Sequence, residues 1–396
     1  MQIPHDMTAH ALQGHIKAEA LAMGAAVKTV RPNKLGTGDM NSARAAASAP
    51  VEVVGAGPAG LAAAITLARG GRHVIVHEAQ REVGHRFARD LQGLENWSTA
   101  ADILDEMHEA GLSTDFDTAP CLHGVGFDAW DRAYPLNSVR PLCYLVERGP
   151  RAGSLDRALL DQALALGVEV RFGSRMHELD RPGILASGPH AADAIAVGYH
   201  FDTSMPDGFH VILDDTLAPG GYAYLLTLGG RGTVKSCMFR DFTRQRLYVE
   251  RTVERFRRLL DLDMRSPSPH GGVGNFFVPT TAYRGKHPTA GEQAGFQDAF
   301  AGFGMRYAMR SGVMAARSLM DSTNYDTLWQ REMKRPMLTA RLNRLIYRHL
   351  GNRGYRWLLR SQAWTGDSRI FLGRVYRSAW MRRRIATWMQ MDGRTV

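Results

Sequence analysis

A chain of 396 residues with 44% hydrophobic content can bury a large core, and its length exceeds that of one average domain, so two interlocked domains are expected. The three cysteines, Cys121, Cys143 and Cys237, are odd in number and widely spaced, which argues against a disulfide framework or a zinc pattern and predicts free thiols in a reducing, cytoplasmic compartment. The net charge of +10 is uneven: from Arg331 onward there are 16 Lys and Arg against 3 Asp and Glu, whereas residues 1–330 carry 33 against 36, so a near-neutral body precedes a strongly basic tail. No stretch approaches the ~18 uninterrupted apolar residues that span a bilayer, and the N-terminal segment has no apolar block that would read as a secretory signal.

In chain order, residues 1–50 open with an Ala-rich, helix-compatible stretch (Ala9 to Val27) and close with a Gly/Ser/Asn/Ala-rich run (Leu35 to Pro50) that reads as a linker. Val51 to Val54 is predicted as a short apolar strand, Pro58 to Arg69 as a helix with one apolar face, and His73 to His77 as a second strand, which is half of a doubly wound unit. Leu155 to Leu166 reads as a helix and Val168 to Phe172 as a strand. Gly198 to Met238 reads as several strands with Gly-rich turns, predicting a mostly antiparallel sheet inserted into an α/β domain. Met305 to Met320 reads as a helix, and Arg331 to Met391 as a helical tail rich in Arg, Trp and Tyr. Asp90 to Trp97 reads as a loop without assignable chemistry.

The most specific motif is Gly55-Ala-Gly57-Pro58-Ala59-Gly60, placed directly after a strand and opening a helix. Gly55 permits the tight turn, Gly57 lets backbone approach a pyrophosphate, and Gly60 permits close packing of helix on strand. The helix N-terminus then offers free N–H groups and the positive end of its dipole to phosphate, and Pro58 fits a first position that needs no N–H. Glu78, followed by Ala79, ends the second strand where a carboxylate accepts a ribose 2′-hydroxyl and repels a 2′-phosphate. These residues predict a dinucleotide without separating FAD from NAD.

Further runs carry a family resemblance. Gly291-Glu292-Gln-Ala-Gly295, followed by Asp298-Ala-Phe-Ala-Gly302-Phe303-Gly304-Met305 and on to Ser311-Gly, resembles the second flavin-contact motif of the geranylgeranyl reductase family, within the para-hydroxybenzoate hydroxylase fold group. Tyr144-Leu-Val-Glu-Arg148 before Leu155-Asp156 resembles that family's arginine-bearing strand and following helix, and Pro219-Gly-Gly-Tyr222-Ala-Tyr224 is similar to its substrate-sheet motif. Arg86, two residues after Gly84, resembles a basic position that approaches the flavin, with a solvated arginine as the plain alternative.

The resemblance implies FAD, held by the Gly55 to Gly60 turn, Glu78, Ala79, Arg86, Arg148, Gly291, Glu292 and Gly302 to Met305. It implies an external electron donor, NAD(P)H or another reductant, and reduction of carbon–carbon double bonds in an isoprenoid or other lipid-like substrate. A flavin monooxygenase on the same scaffold is the alternative. Three departures limit the carry-over: Glu292 stands where the family has Asp, Ala186-Ser187-Gly188 where many relatives have Ala-Asp-Gly, and no cysteine lies between Gly84 and Trp97.

The expected architecture is thus an α/β, doubly wound FAD-binding domain (51–120, 151–196 and 284–330) interleaved with an antiparallel-sheet substrate domain (121–150 and 197–283), after an N-terminal extension (1–50) and before a basic helical tail (331–396). Tyr222 and Tyr224 share one strand face, where a phenol could donate a proton or wall an apolar substrate; half-buried strand tyrosines are the alternative. The histidines show no ligand spacing, so no metal site is predicted. Basic helices carrying Trp and Tyr suit an anionic membrane surface, with nucleic acid disfavoured, and a helical cap with a solvated basic face is the alternative.

Overall fold

The computed structural model describes residues 49–377; the readings made for residues 1–48, and for Trp380 and Trp388 in the tail, lie outside the described residues. Val51–Val54 enters a four-stranded parallel sheet, flanked by Val74–Glu78 and Gly183–Leu185, with Glu169–Phe172 outside Val74–Glu78. The inner strands are mostly apolar and buried, as parallel strands covered on both faces are, whereas the edge strand Glu169–Phe172 is polar and largely exposed. Pro58–Arg69 crosses from the first strand to the second, and Met305–Asp321 packs directly against it. Gly312 permits that contact, since a Cβ there would lie 2.0 Å from the Ala59 carbonyl oxygen. The contact seats the first turn of Pro58–Arg69 against the middle of Met305–Asp321.

A seven-stranded sheet runs in the order Arg265–Gly274, Ala194–Asp202, Arg231–Met238, Tyr222–Leu228, Gly208–Leu213, Val125–Asp128, Ala133–Pro135. It is antiparallel except where Gly208–Leu213 meets Val125–Asp128. One face is closed by the amphipathic helix Gln245–Leu260, which buries Val253 and Phe256 against Phe201, Ala223 and Val234. A three-stranded sheet of Leu91–Glu95, Cys143–Glu147 and Thr118–Pro120 stands between the two larger sheets. The segment read as a loop is therefore a strand: Leu91 and Leu94 are fully buried, and its backbone pairs with Cys143–Glu147, a partner that local sequence could not reveal.

The described part of the tail folds back onto the seven-stranded sheet. A short π-helical turn, Gln330–Lys334, leads into Arg335–Thr365, broken at Gly351 (φ 57°), and then Ser368–Arg377. Tail side chains are tied to the body: Arg356 Nε donates to Asp128 (2.7 Å), Tyr347 to the Gly221 carbonyl (2.9 Å), Tyr355 to Asp215 (3.2 Å) and Tyr376 to Asp298 (2.7 Å). Among the described residues no helix is long and apolar enough to cross a membrane.

Candidate active site

One continuous cavity of about 680 Å³ runs from the glycine turn, between the sheets, to the underside of the tail helices. At its nucleotide end Gly55 adopts φ +100°, and a Cβ on it would strike the Ala186 carbonyl oxygen at 2.2 Å. A Cβ on Gly60 would lie 1.8 Å from the Gly55 oxygen, whereas one on Gly57 meets no protein atom within 4 Å and would project into open space. Gly57 caps the helix without a side chain, and no acid stands in the first turn, so the helix N-terminus is left for an anion. Glu78 is fixed by the amides of Ala56 and Gln80, each donating at 2.8 Å, and its carboxylate retains lone pairs for ribose hydroxyls. The cradle fits the ADP part of a dinucleotide.

The other predicted cofactor residues converge on the same cavity: Pro58, Ala59, Ala79, Arg86, Arg148, Gly291, Glu292, and Gly302 to Met305 all line it. Gly304 caps Met305–Asp321, bringing a second free helix N-terminus to the wall. Arg148 is buried and commits its fork to Asp156 at 2.7 and 2.8 Å, with Gln92 accepting a third bond at 3.1 Å. It braces the turn after Cys143–Glu147 as well as lining the pocket. Glu292 has its carboxyl pushed up to about 7 by burial, against the opposing pull of the Arg86 and Arg148 charges.

Tyr222 and Tyr224 project from the same face of Tyr222–Leu228, their rings 5.9 Å apart, and both line the cavity. Burial pushes both phenols well above the usual tyrosine range. Tyr222 donates its hydroxyl proton to the Ala301 carbonyl, tying the substrate sheet to the glycine loop before Met305.

The cofactor motif matches the family of NAD(P)-binding Rossmann-like domains over residues 53–109. No curated protein matches the chain in sequence. In structure the chain is similar to a geranylgeranyl bacteriochlorophyll reductase-like protein from Thermoplasma acidophilum, at TM-score 0.68 and 17% identity over 85% of this chain and 98% of that one. It is similar to a flavoprotein/dehydrogenase from Cytophaga hutchinsonii (TM-score 0.60, 14% identity, 83% and 92% covered). It also resembles a p-nitrophenol 4-monooxygenase from Pseudomonas putida (TM-score 0.56, 14% identity, 85% and 97% covered). The fold is that of the FAD-binding oxidoreductases. Reductase-like and monooxygenase proteins share it, so the fold alone leaves the reaction open.

Within this flavoprotein fold, a buried charged cluster went unseen in the sequence. Lys235 Nζ donates to Asp90 Oδ1 at 2.6 Å, His200 Nε2 lies 3.1 Å from the same oxygen, and His270 stacks on His200 with ring centroids 4.2 Å apart. Burial raises the Asp90 carboxyl, but the Lys235 charge and the two histidines outweigh it and hold the group well below the usual carboxylate range. Asp90 and Lys235 line the cavity, and the His270 ring sits on the same face of the sheet, its Nε2 2.7 Å from the Arg86 carbonyl oxygen. Asp90, His200 and His270 lie close enough to hold a metal ion, but the Lys235 ammonium already neutralises the carboxylate. The only advance signal was a lysine within the otherwise uncharged run Gly232 to Met238.

The far end of the cavity was also missed. Phe209, Val211, Leu213, Leu359, Leu372 and Val375 make it apolar, and the last three come from the tail helices.

Proposed function

We propose that the chain is an FAD-dependent oxidoreductase that reduces carbon–carbon double bonds of an isoprenoid or similar lipid-like substrate, with electrons from an external donor such as NAD(P)H. The observation that carries this reading is the continuity of the cavity: a cradle for a dinucleotide opens without a partition into an apolar chamber roofed by tail helices. The cofactor, when bound, supplies hydride chemistry. The Gly55 to Gly60 turn and the Pro58 helix would hold its diphosphate, Glu78 its adenosine ribose, and the Gly302 to Met305 segment the polar edge of its ring.

The chain's own contribution is orientation, exclusion of water and a proton. Leu213, Leu359, Leu372 and Val375 hold an apolar chain and keep the chamber dry. Two wall groups can give a proton: the Tyr224 phenol and the Lys235 ammonium, the latter paired with Asp90, which His200 also contacts. We extend the proposal to the tail: its exposed Trp357 and Trp364, 64% and 89% accessible amid arginines, suit an anionic membrane from which such a substrate would come.

The test is anaerobic reduction of the purified, FAD-loaded protein, followed by mixing with a prenyl alkene in one arm without oxygen and in a second arm with dissolved oxygen. Flavin reoxidation with formation of the saturated product is expected. A long-lived oxygen adduct and an oxygenated product, with no saturated one, would make the protein a monooxygenase instead.

A further inference from the structure

Among the described residues, the two buried arginines come with carboxylates. Arg148 has Asp156, and Arg306 has Glu95 and Glu106. Arg344, half-buried on Arg335–Thr365, is different. It lines the cavity and lies over the Phe239 ring (3.7 Å to the centroid) and beside Tyr347 (4.8 Å). Nη1 donates to the Gly220 carbonyl, the buried Nε has no acceptor, and among the described residues no hydrogen bond engages Nη2. Burial pushes this guanidinium below its usual range, with Tyr347, Cys237, Asp298 and Tyr222 the groups that face it. Asp298 is occupied elsewhere, accepting from Tyr376 at 2.7 Å and from the amides of Phe300 and Ala301 at 3.0 and 2.9 Å.

An arginine stays protonated even here. A charged group with a buried donor left unpaired is costly, and the cost falls when an anion arrives. The unused pair, Nε and Nη2, is the side of the guanidinium that matches the two oxygens of a carboxylate. The rest of the chamber offers hydrocarbon contacts from Phe209, Val211, Leu213 and Leu359.

We propose that Arg344 is the head-group site of the chamber, and that the chamber's ligand is a long apolar molecule ending in a carboxylate. This rests on the reading of the chamber as the substrate chamber of a flavoprotein, and it narrows the substrate class from lipid-like to apolar acid.

The experiment is calorimetric titration of the full chain, in the presence of FAD, with dodecanoate, dodecanol and dodecyl phosphate below their aggregation concentrations. Dodecanoate is expected to bind at least ~10-fold more tightly than dodecanol, the scale of a hydrogen-bonded charge pair. Arg344→Met should weaken dodecanoate by about 10- to 100-fold and leave dodecanol unchanged, with Arg344→Lys retaining part of the preference. Equal affinity for dodecanoate and dodecanol in the wild-type protein would overturn the proposal, whatever the variants do. Tighter binding of dodecyl phosphate than of dodecanoate would overturn the carboxylate assignment. FAD uptake is read separately from its visible absorbance. Bound FAD without head-group preference sinks this inference alone, while folded protein that takes no FAD sinks the functional reading beneath it.

Discussion

The two ends of the cavity are built by different means. At the nucleotide end, backbone does the work: a glycine turn, two helix N-termini and one carboxylate pinned by amides. At the chamber end, side chains do it, delivered by strands and by helices far along the chain. A backbone site tolerates almost no change at Gly55 or Gly60, because the clash is with main-chain atoms that cannot move aside. A side-chain site tolerates changes of shape but is exposed to changes of charge, since its few polar groups sit in a poorly solvated wall.

The sharpest test of this contrast lies within the turn itself. Gly60→Val would put a side chain into the Gly55 carbonyl and should cost about 3 kcal/mol or more, seen as loss of cooperative folding, while Gly57→Val, facing open space, should fold normally. Equal stability of the two variants would break the comparison. On the wall, Lys235→Met leaves the buried Asp90 carboxylate unmatched and should destabilise by about 3–5 kcal/mol in denaturant titration. Adding Asp90→Asn should recover much of that loss. If the single variant is as stable as wild type, the charged wall is not buried as described.

Glu292 joins the two ends and gives a pH signature. Its folded value of about 7 stands above the ordinary 4.5, so between those values the folded protein holds a proton that the unfolded chain releases. Stability should therefore fall as pH rises through that window, by roughly 3 kcal/mol from this group. Glu292→Gln should flatten the slope, and a slope unchanged by the substitution would remove Glu292 as its source. The smallest effect is expected outside the chamber, where Trp364→Ala, at a site 89% exposed, should leave stability unaltered and weaken binding to anionic liposomes a few-fold. Wild-type protein that ignores such liposomes at low salt would leave the tail as a cap only.

What could be read in the sequence follows the same division. The cradle was legible because its parts are local: strand, turn, helix and Glu78 follow one another, and each residue type answers to one backbone requirement. The Gly302 to Met305 segment was legible for the same reason, though the packing of its helix on the Pro58 helix required the Gly312 contact. The chamber was not legible. Asp90 and Lys235 are 145 residues apart, and Arg344 and the Gly220 carbonyl 124, so no window of sequence contains either pair. Leu91–Glu95 was hidden because its partner strand begins at Cys143. The tail arginines read as one basic surface, yet Arg344 turns inward and Arg356 pairs with Asp128.

The central claim, that the glycine turn cradles FAD, is tested most directly by equilibrium titration of the full chain and of Gly57→Val with FAD and with NAD. The account predicts a yellow wild-type protein that binds FAD non-covalently and a folded, colourless Gly57→Val. Folded wild-type protein that takes up NAD and not FAD, or a Gly57→Val variant that binds FAD as well as wild type, would contradict it.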